Sequence, residues 1–321
     1  MLQPQSPRFI QTWQPDAEAE RQAARTSLAA AGASVAPKFF YDQLGSQLFE
    51  AITALDEYYP TRSEAAIFRS HGAAMARALG SGMTLVDLGA GNCAKAAALF
   101  PLLEPARYVA VDISVEFLRD ALRRVQREHP QLELVGLGQD FSSRLDLPAE
   151  VLGSAPPVFF YPGSSIGNFT PAEALAFLGR VRRRATGGGL LIGVDLVKPA
   201  ALLEAAYDDA LGVTAAFNLN ALRHLNRLIG SDFDPRQWRH VALYNAAASR
   251  VEMHLEARQA IDVAWPGGGR RFAAGERIHT ENSCKYTADG FAALLVEAGF
   301  EAPTCWRDDR GWFAVFWAPA A

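Results

Sequence analysis

The most constraining feature of this sequence is a rhythm: short apolar runs alternate with helix-length segments from residue 83 to residue 198. Runs at 83–88, 107–111, 132–137, 157–161 and 189–196 read as strands. Helices are expected between them, over 93–100, over 115–128 and from Thr170 onward. Strands that are apolar throughout, rather than on alternate residues, belong in a parallel sheet covered on both faces. Thr170-Pro171-Ala172-Glu173 reads as a capping box with proline in the first turn. Thr61-Arg62-Ser63-Glu64 reads as another, opening a helix that stops at Gly80.

The rhythm changes after Lys198. Residues 200–228 read as one long helix, and Val251-Met253-Leu255 alternates with Glu252-His254-Glu256, the pattern of a half-buried strand. The glycines at 267–269 predict a hairpin. The first pattern then returns, with a helix over 288–298, Gly299 as its stop, and strands near 302–306 and 312–317. So short a turn makes that last pair antiparallel. The expected fold is α/β: a doubly wound sheet with a terminal antiparallel strand, plus a second α+β lobe. Its parts are an N-terminal helical segment (1–61) contributing to the second lobe, a core (62–198), the lobe itself (199–285), and a return to the core sheet (286–321).

Composition narrows the function classes. A formal net charge of −4 over 321 residues argues against broad nucleic-acid or membrane-surface binding. The run Arg180, Arg182, Arg183, Arg184 falls at a helix end, where cations favour the negative pole of the helix dipole. No apolar run approaches the ~20 residues of a spanning helix, and the first residues lack a secretion signal. Three dispersed cysteines and six histidines without metal-ligand spacing predict neither a disulfide framework nor a metal site. Cys93 reads as a packing residue. The expectation is a cytoplasmic monomer acting on a small molecule, without nucleic acid, membrane or metal.

Asp87-Leu88-Gly89-Ala90-Gly91 ends the first strand and turns into a helix. Gly89 and Gly91 permit a tight turn and close approach by a ligand. Asp112 ends the second strand, where a carboxylate suits ribose hydroxyls; a helix-capping acid is the plainer alternative. Gly89-x-Gly91-x-x-Ala94 also fits a dinucleotide-binding turn. Asp87 beside the turn suits a cationic, amino-acid-bearing ligand better than a pyrophosphate. Together with Asp140-Phe141 after the third strand and the closing antiparallel pair, it resembles the class I methyltransferases that use S-adenosylmethionine.

Several segments resemble one family more closely. They are Pro37-Lys38-Phe39-Phe40-Tyr41-Asp42, Glu57-Tyr58-Tyr59-Pro60-Thr61-Arg62, Gly163-Ser164-Ser165-Ile166-Gly167-Asn168 and Tyr207-Asp208-Asp209. Gly212-Val213-Thr214-Ala215-Ala216-Phe217-Asn218, Glu252-Met253 and Glu281-Asn282-Ser283-Cys284-Lys285 follow in order. This set is similar to the S-adenosylmethionine-dependent histidine N-alpha-methyltransferases of ergothioneine biosynthesis. The resemblance implies trimethylation of L-histidine to hercynine, with the second lobe closing over substrate. It implies that Tyr58, Gly89, Gly91, Lys95, Asp112, Asp140 and Phe141 bind the methyl donor. It implies that Asn168 and Tyr207 hold the substrate carboxylate beside Gly163 and Tyr58. Glu281 and Ser283 would read the imidazole, Phe217 and Met253 would pack nearby, and Tyr41 would lie close to the amine. Tyr41, Asn168 and Tyr207 are accordingly the expected catalytic set.

Ser165 and Asn282 depart from that family's pattern, which has threonine and a small aliphatic residue there, and both are expected near the pocket. A methyltransferase for another amino acid or a histidine derivative is therefore a second reading. A non-catalytic S-adenosylmethionine-binding protein is a third.

Overall fold

The structure is a computed structural model that describes residues 6–11, 16–142 and 144–320. Its strands begin with β1 (Arg8–Gln11), β2 (Thr84–Leu88), β3 (Arg107–Asp112), β4 (Glu133–Gly138), β5 (Pro157–Tyr161) and β6 (Gly188–Asp195). They continue with β7 (Trp238–Asn245), β8 (Arg250–Ala257), β9 (Ile261–Trp265), β10 (Gly268–Phe272) and β11 (Arg277–Cys284). The last two are β12 (Thr304–Arg307) and β13 (Phe313–Ala320). The chain divides into two compact units. One comprises Met1–Gln14, Arg62–Val197 and Tyr286–Ala321, the other Pro15–Thr61 and Lys198–Lys285.

The first unit is built on one sheet of order β1-β4-β3-β2-β5-β6-β13-β12. Every pair from β1 to β6 is parallel, while β13 runs antiparallel to both β6 and β12. The wholly apolar strands bury both faces, as their composition requires. Val86, Leu88, Val109 and Phe159 enter one core with Phe177 and Phe291. Leu85, Tyr108, Ala110 and Phe160 enter the other with Ile67 and Phe100. Strand order reverses at β2, which has β3 on one side and β5 on the other. The C-terminal ends of β2 and β5 thus flank the crevice where open α/β sheets take their ligands.

Three local expectations give way here. Arg8–Gln11 is not helical; it pairs in parallel with β4 at the sheet edge. The helix expected from Thr61 starts earlier, spanning Tyr59–Leu79, and the Glu64 side chain bonds distant residues rather than capping that end. The helix expected over 93–100 is instead two short turns, Ala94–Ala97 and Phe100–Leu103, the second carrying Pro101. The capping box at Thr170 is present as read, with Thr170 accepting from the Glu173 amide and Glu173 reaching back.

The second unit packs the helix Gln43–Thr53 and the 3-10 turn Pro37–Phe40 on the helix Val213–Ile229. Beside them lie an antiparallel sheet of order β11-β8-β7 and the hairpin β9-β10. Asp42 caps the helix Gln43–Thr53 through the Gly45 amide (2.7 Å) and also takes the Asn220 amide (2.8 Å) and the Arg227 guanidinium. The single helix expected over 200–228 is broken into Ala200–Ala205 and Val213–Ile229. Gly212, in the left-handed region at φ 73°, turns the chain, and Asp209 accepts from the amides of Val213 and Thr214. The break contains Tyr207.

A bulge in β11 sets which residues share a face. Glu281 pairs with Met253 and Ser283 with Val251, but the register shifts between His279 and Glu281. His279 therefore lies opposite His254, and Asn282 opposite Glu252, on the other face of the sheet.

Candidate functional site

In the sheet unit the glycine turn leaves β2 through Gly89 (φ 73°) and Gly91 (φ 51°), both in the left-handed region. A Cβ on Gly89 would meet nothing nearer than the Phe141 ring at 3.6 Å, so that ring faces the turn. Asp112, at the end of β3, accepts from Gly91 N (2.9 Å) and Ser114 N (2.8 Å). Burial raises its carboxyl, and the backbone amides oppose that rise. Asp112 thus ties the glycine turn to the residue that precedes the next helix. Asp140 accepts from Ser142 at the end of β4.

Asp87 lies under the turn, 2 % exposed. Its Oδ2 accepts from the Tyr108 phenol (2.7 Å), whereas Oδ1 is buried without a hydrogen-bond partner among the described residues. Burial, the largest influence, pushes this carboxyl to about 7. An orphaned buried acceptor beside a turn that carries two glycines fits a ligand with cationic groups, as S-adenosylmethionine has.

Glu64 is the residue that sequence reasoning missed. Its carboxylate, 1 % exposed, accepts from Lys95 Nζ (2.7 Å) and from Gly163 N (2.7 Å). Lys95 follows the glycine turn and Gly163 follows β5, so one buried acid braces the loops on both sides of the switch point. The available signal was an acid on the buried stripe of its helix, between Ser63 and Ile67. Gly163 has φ 77°, and Asn168 ends the 3-10 turn Ser165–Asn168 five residues later. Ser165 donates to its own loop at Pro162 O (3.2 Å).

Cys93 sits in the left-handed region at φ 60°, fully buried, and burial pushes its thiol up to about 12. It is a packing residue and not a nucleophile. Among the described residues no group of three or more His, Cys, Asp or Glu could hold a metal ion. No helix among them is long and apolar enough to cross a membrane.

In the second unit an aromatic cluster brings together four of the expected residues. Tyr41 packs edge-on against Phe217 (5.6 Å between centroids), and Phe49 touches Tyr41, Phe217 and Tyr58. Tyr58 in turn meets the Tyr207 ring at 6.3 Å. The Tyr207 hydroxyl lies 2.6 Å from Ser283 Oγ. His240, another residue not anticipated, holds the Tyr207 backbone: its Nε2 is 2.7 Å from Tyr207 O and its Nδ1 2.8 Å from the Asn218 amide. With both bonds made, Nε2–H donates and Nδ1 accepts. Burial lowers this imidazole below its ordinary value, consistent with the neutral ring.

Glu281, Ser283 and Met253 share one face of β11-β8, all buried. Burial pushes the Glu281 carboxyl up to about 7, against the pull of the Lys285 ammonium. Asn282 does not join them. Its Oδ1 accepts from His279 Nε2 (2.9 Å) on the opposite face, where strand alternation puts it.

A parallel sheet with this switch point, an acid-x-Gly-x-Gly turn on β2 and a reversed final strand define a class I methyltransferase fold. Comparison with known proteins gives the particular group. The chain belongs to the histidine-specific, S-adenosylmethionine-dependent methyltransferases, whose family model matches residues 20–320. It is 42 % identical to a histidine N-alpha-methyltransferase of Mycolicibacterium smegmatis over 310 residues, covering 93 % of this chain and 94 % of that one. It is 40 % identical to the protein of the same name from Mycobacterium tuberculosis, covering 88 % and 89 %. It is also 33 % identical to ergothioneine biosynthesis protein 1 of Neurospora crassa, covering 83 % of this chain and 31 % of that longer protein.

Proposed function

We propose that this protein transfers methyl groups from S-adenosylmethionine to the alpha-amino group of L-histidine, giving the trimethylated product used for ergothioneine. The observation that carries the reading is the buried face of β11. A carboxyl near 7 (Glu281) and a hydroxyl (Ser283) stand two residues apart there, with the Tyr207 phenol 2.6 Å from the latter. Glu281 can accept an imidazole N–H, Ser283 can bond the second ring nitrogen, and Tyr207 can donate to a carboxylate. A buried acid left without a donor is costly, so the site favours a ring that carries a proton.

In the same reading Asn168 adds an amide donor for the substrate carboxylate, Gly163 lines the pocket, and Tyr41 stands by the amine. Phe217 and Met253 give the imidazole an apolar wall. Gly89, Gly91, Lys95, Asp112, Asp140, Phe141 and Tyr58 hold the methyl donor, which supplies a methyl group on a positively charged sulfur. The residues supply alignment, because displacement at that methyl is in-line and gains most from positioning. The reading carries a monomeric, cytoplasmic enzyme without a metal. With Asn282 turned away, Ser165 is the departure that still favours a different acceptor.

The test is mass spectrometry of L-histidine incubated with the protein and S-adenosylmethionine, with other amino acids in parallel. Histidine should gain up to three methyl groups while the others stay unchanged. Unmodified histidine, with donor binding demonstrated, would move the assignment to another acceptor.

A further inference from the structure

Lys285 ends the segment that carries Glu281 and Ser283, yet it has no part in the function proposed so far. It is 3 % exposed. Its ammonium donates to Ser283 Oγ (2.7 Å) and to the Tyr207 hydroxyl (3.1 Å), while those two hydroxyls lie 2.6 Å apart. The same ammonium is 4.9 Å from the centre of the Tyr207 ring. All three side chains belong to the second unit.

Proton counting within this triangle is restrictive. An ammonium has three protons and no lone pair, so both hydroxyl oxygens must accept from it. The contact between the hydroxyls uses one hydroxyl proton. The other hydroxyl proton points out of the triangle, whichever oxygen carries it. We propose that Lys285 is a positioning residue that fixes Tyr207, with Ser283 donating to its phenol oxygen, as a hydrogen-bond donor toward the acceptor's carboxylate, and so selects amino acids over the corresponding amines. This rests on histidine being the acceptor and deepens that reading. The adjacent positive charge also strengthens the phenol as a donor to an anion. Without it, both hydroxyls could turn and present lone pairs to the carboxylate.

The experiment is calorimetric titration of L-histidine and of histamine, which lacks the carboxylate, into the full chain saturated with S-adenosylhomocysteine. Lys285→Met should lose roughly ten- to hundredfold of histidine affinity, the worth of one hydrogen bond to a charged group. Its histamine affinity should stay within about threefold, and its affinity for S-adenosylhomocysteine should be unchanged. Lys285→Arg, which keeps the cation, should restore most of the histidine-to-histamine ratio. Unchanged histidine affinity in folded Lys285→Met would overturn the proposal. So would an equal loss for both ligands, the mark of a lysine that merely supports the fold. If Lys285→Met gives no cooperative melt, Lys285→Gln is measured in its place. If neither folds, the Arg variant decides, and collapse of its ratio overturns the idea. Wild-type protein that binds no histidine would remove the acceptor reading itself, and this proposal with it.

Discussion

At the scale of single residues, burial sets the chemistry of two acids. Glu281 holds its proton to about 7, whereas its ordinary value is 4.5. The folded state therefore binds more protons than the unfolded chain between those values. The resulting stability is full below about 4.5 and lost as pH rises through 7. Ligand binding runs the other way, because the ionised carboxylate is the better acceptor for an imidazole N–H. Histidine affinity should climb between about pH 5.5 and 7, by up to about tenfold per unit. Glu281→Gln should flatten that limb and leave S-adenosylmethionine binding intact; titration calorimetry across pH reads both. Asp87 follows the same stability sign, its carboxyl raised from 3.8 to about 7 mainly by burial. Tyr108→Phe removes the phenol that donates to that carboxyl. Denaturant melts should show a loss of about 1–3 kcal/mol, larger above neutral pH than below it. Much of this scale was open to sequence reading, because Asp87, Asp112, Glu281 and Ser283 stand at strand ends or on one strand face. Glu64 and Lys285 were not. Each has a partner far along the chain, Gly163 being 99 residues from Glu64 and Tyr207 78 residues from Lys285. No local pattern marks such a pairing.

At the scale of elements, strands read well and helix boundaries less so. The helix Val115–Glu128 and strand β5 have the expected ends because periodicity and flanking residues agree there. The helix over 200–228 broke because Asp209 and Gly212 act together: an acid to cap and a residue free at positive φ outweigh the apolar periodicity on either side. The bulge in β11 was also invisible, since an extra residue leaves no compositional trace. Between elements, β6 passes so close to the helix Tyr59–Leu79 that a Cβ on Gly193 would fall 2.1 Å from Glu64 Oε1. Gly193→Ala must displace that carboxylate. Thermal melts should show a loss of about 1–3 kcal/mol from overpacking. S-adenosylmethionine affinity should fall about tenfold as Lys95 and the Gly163 loop lose their brace, worth roughly one hydrogen bond.

At the scale of the whole molecule, the second unit is made from two separate stretches of chain, and the sheet unit closes behind the longer one. Val197 N bonds Tyr286 O (3.0 Å) and Tyr286 N bonds Asp195 O (3.1 Å), so the chain leaves and re-enters at touching points. A protein of residues 1–197, which keeps β1 and Tyr58, joined through a short glycine linker to 286–321 should therefore fold and bind S-adenosylmethionine. It should methylate nothing, as circular dichroism, calorimetry and a methylation assay would together show. A joined chain unable to bind the donor would mean that the sheet unit is not self-sufficient. The contribution of the N-terminal segment to the second unit was legible in the sequence, but its contacts were not: 15–61 meets 198–285 through Gln43–Thr53 and Pro37–Phe40 on Val213–Ile229 and through Val35 N on His279 O. The seam at Val197 and Tyr286 has a historical corollary. A segment that leaves and re-enters at adjacent points can be exchanged over generations without breaking the strand pairing of the sheet unit around it.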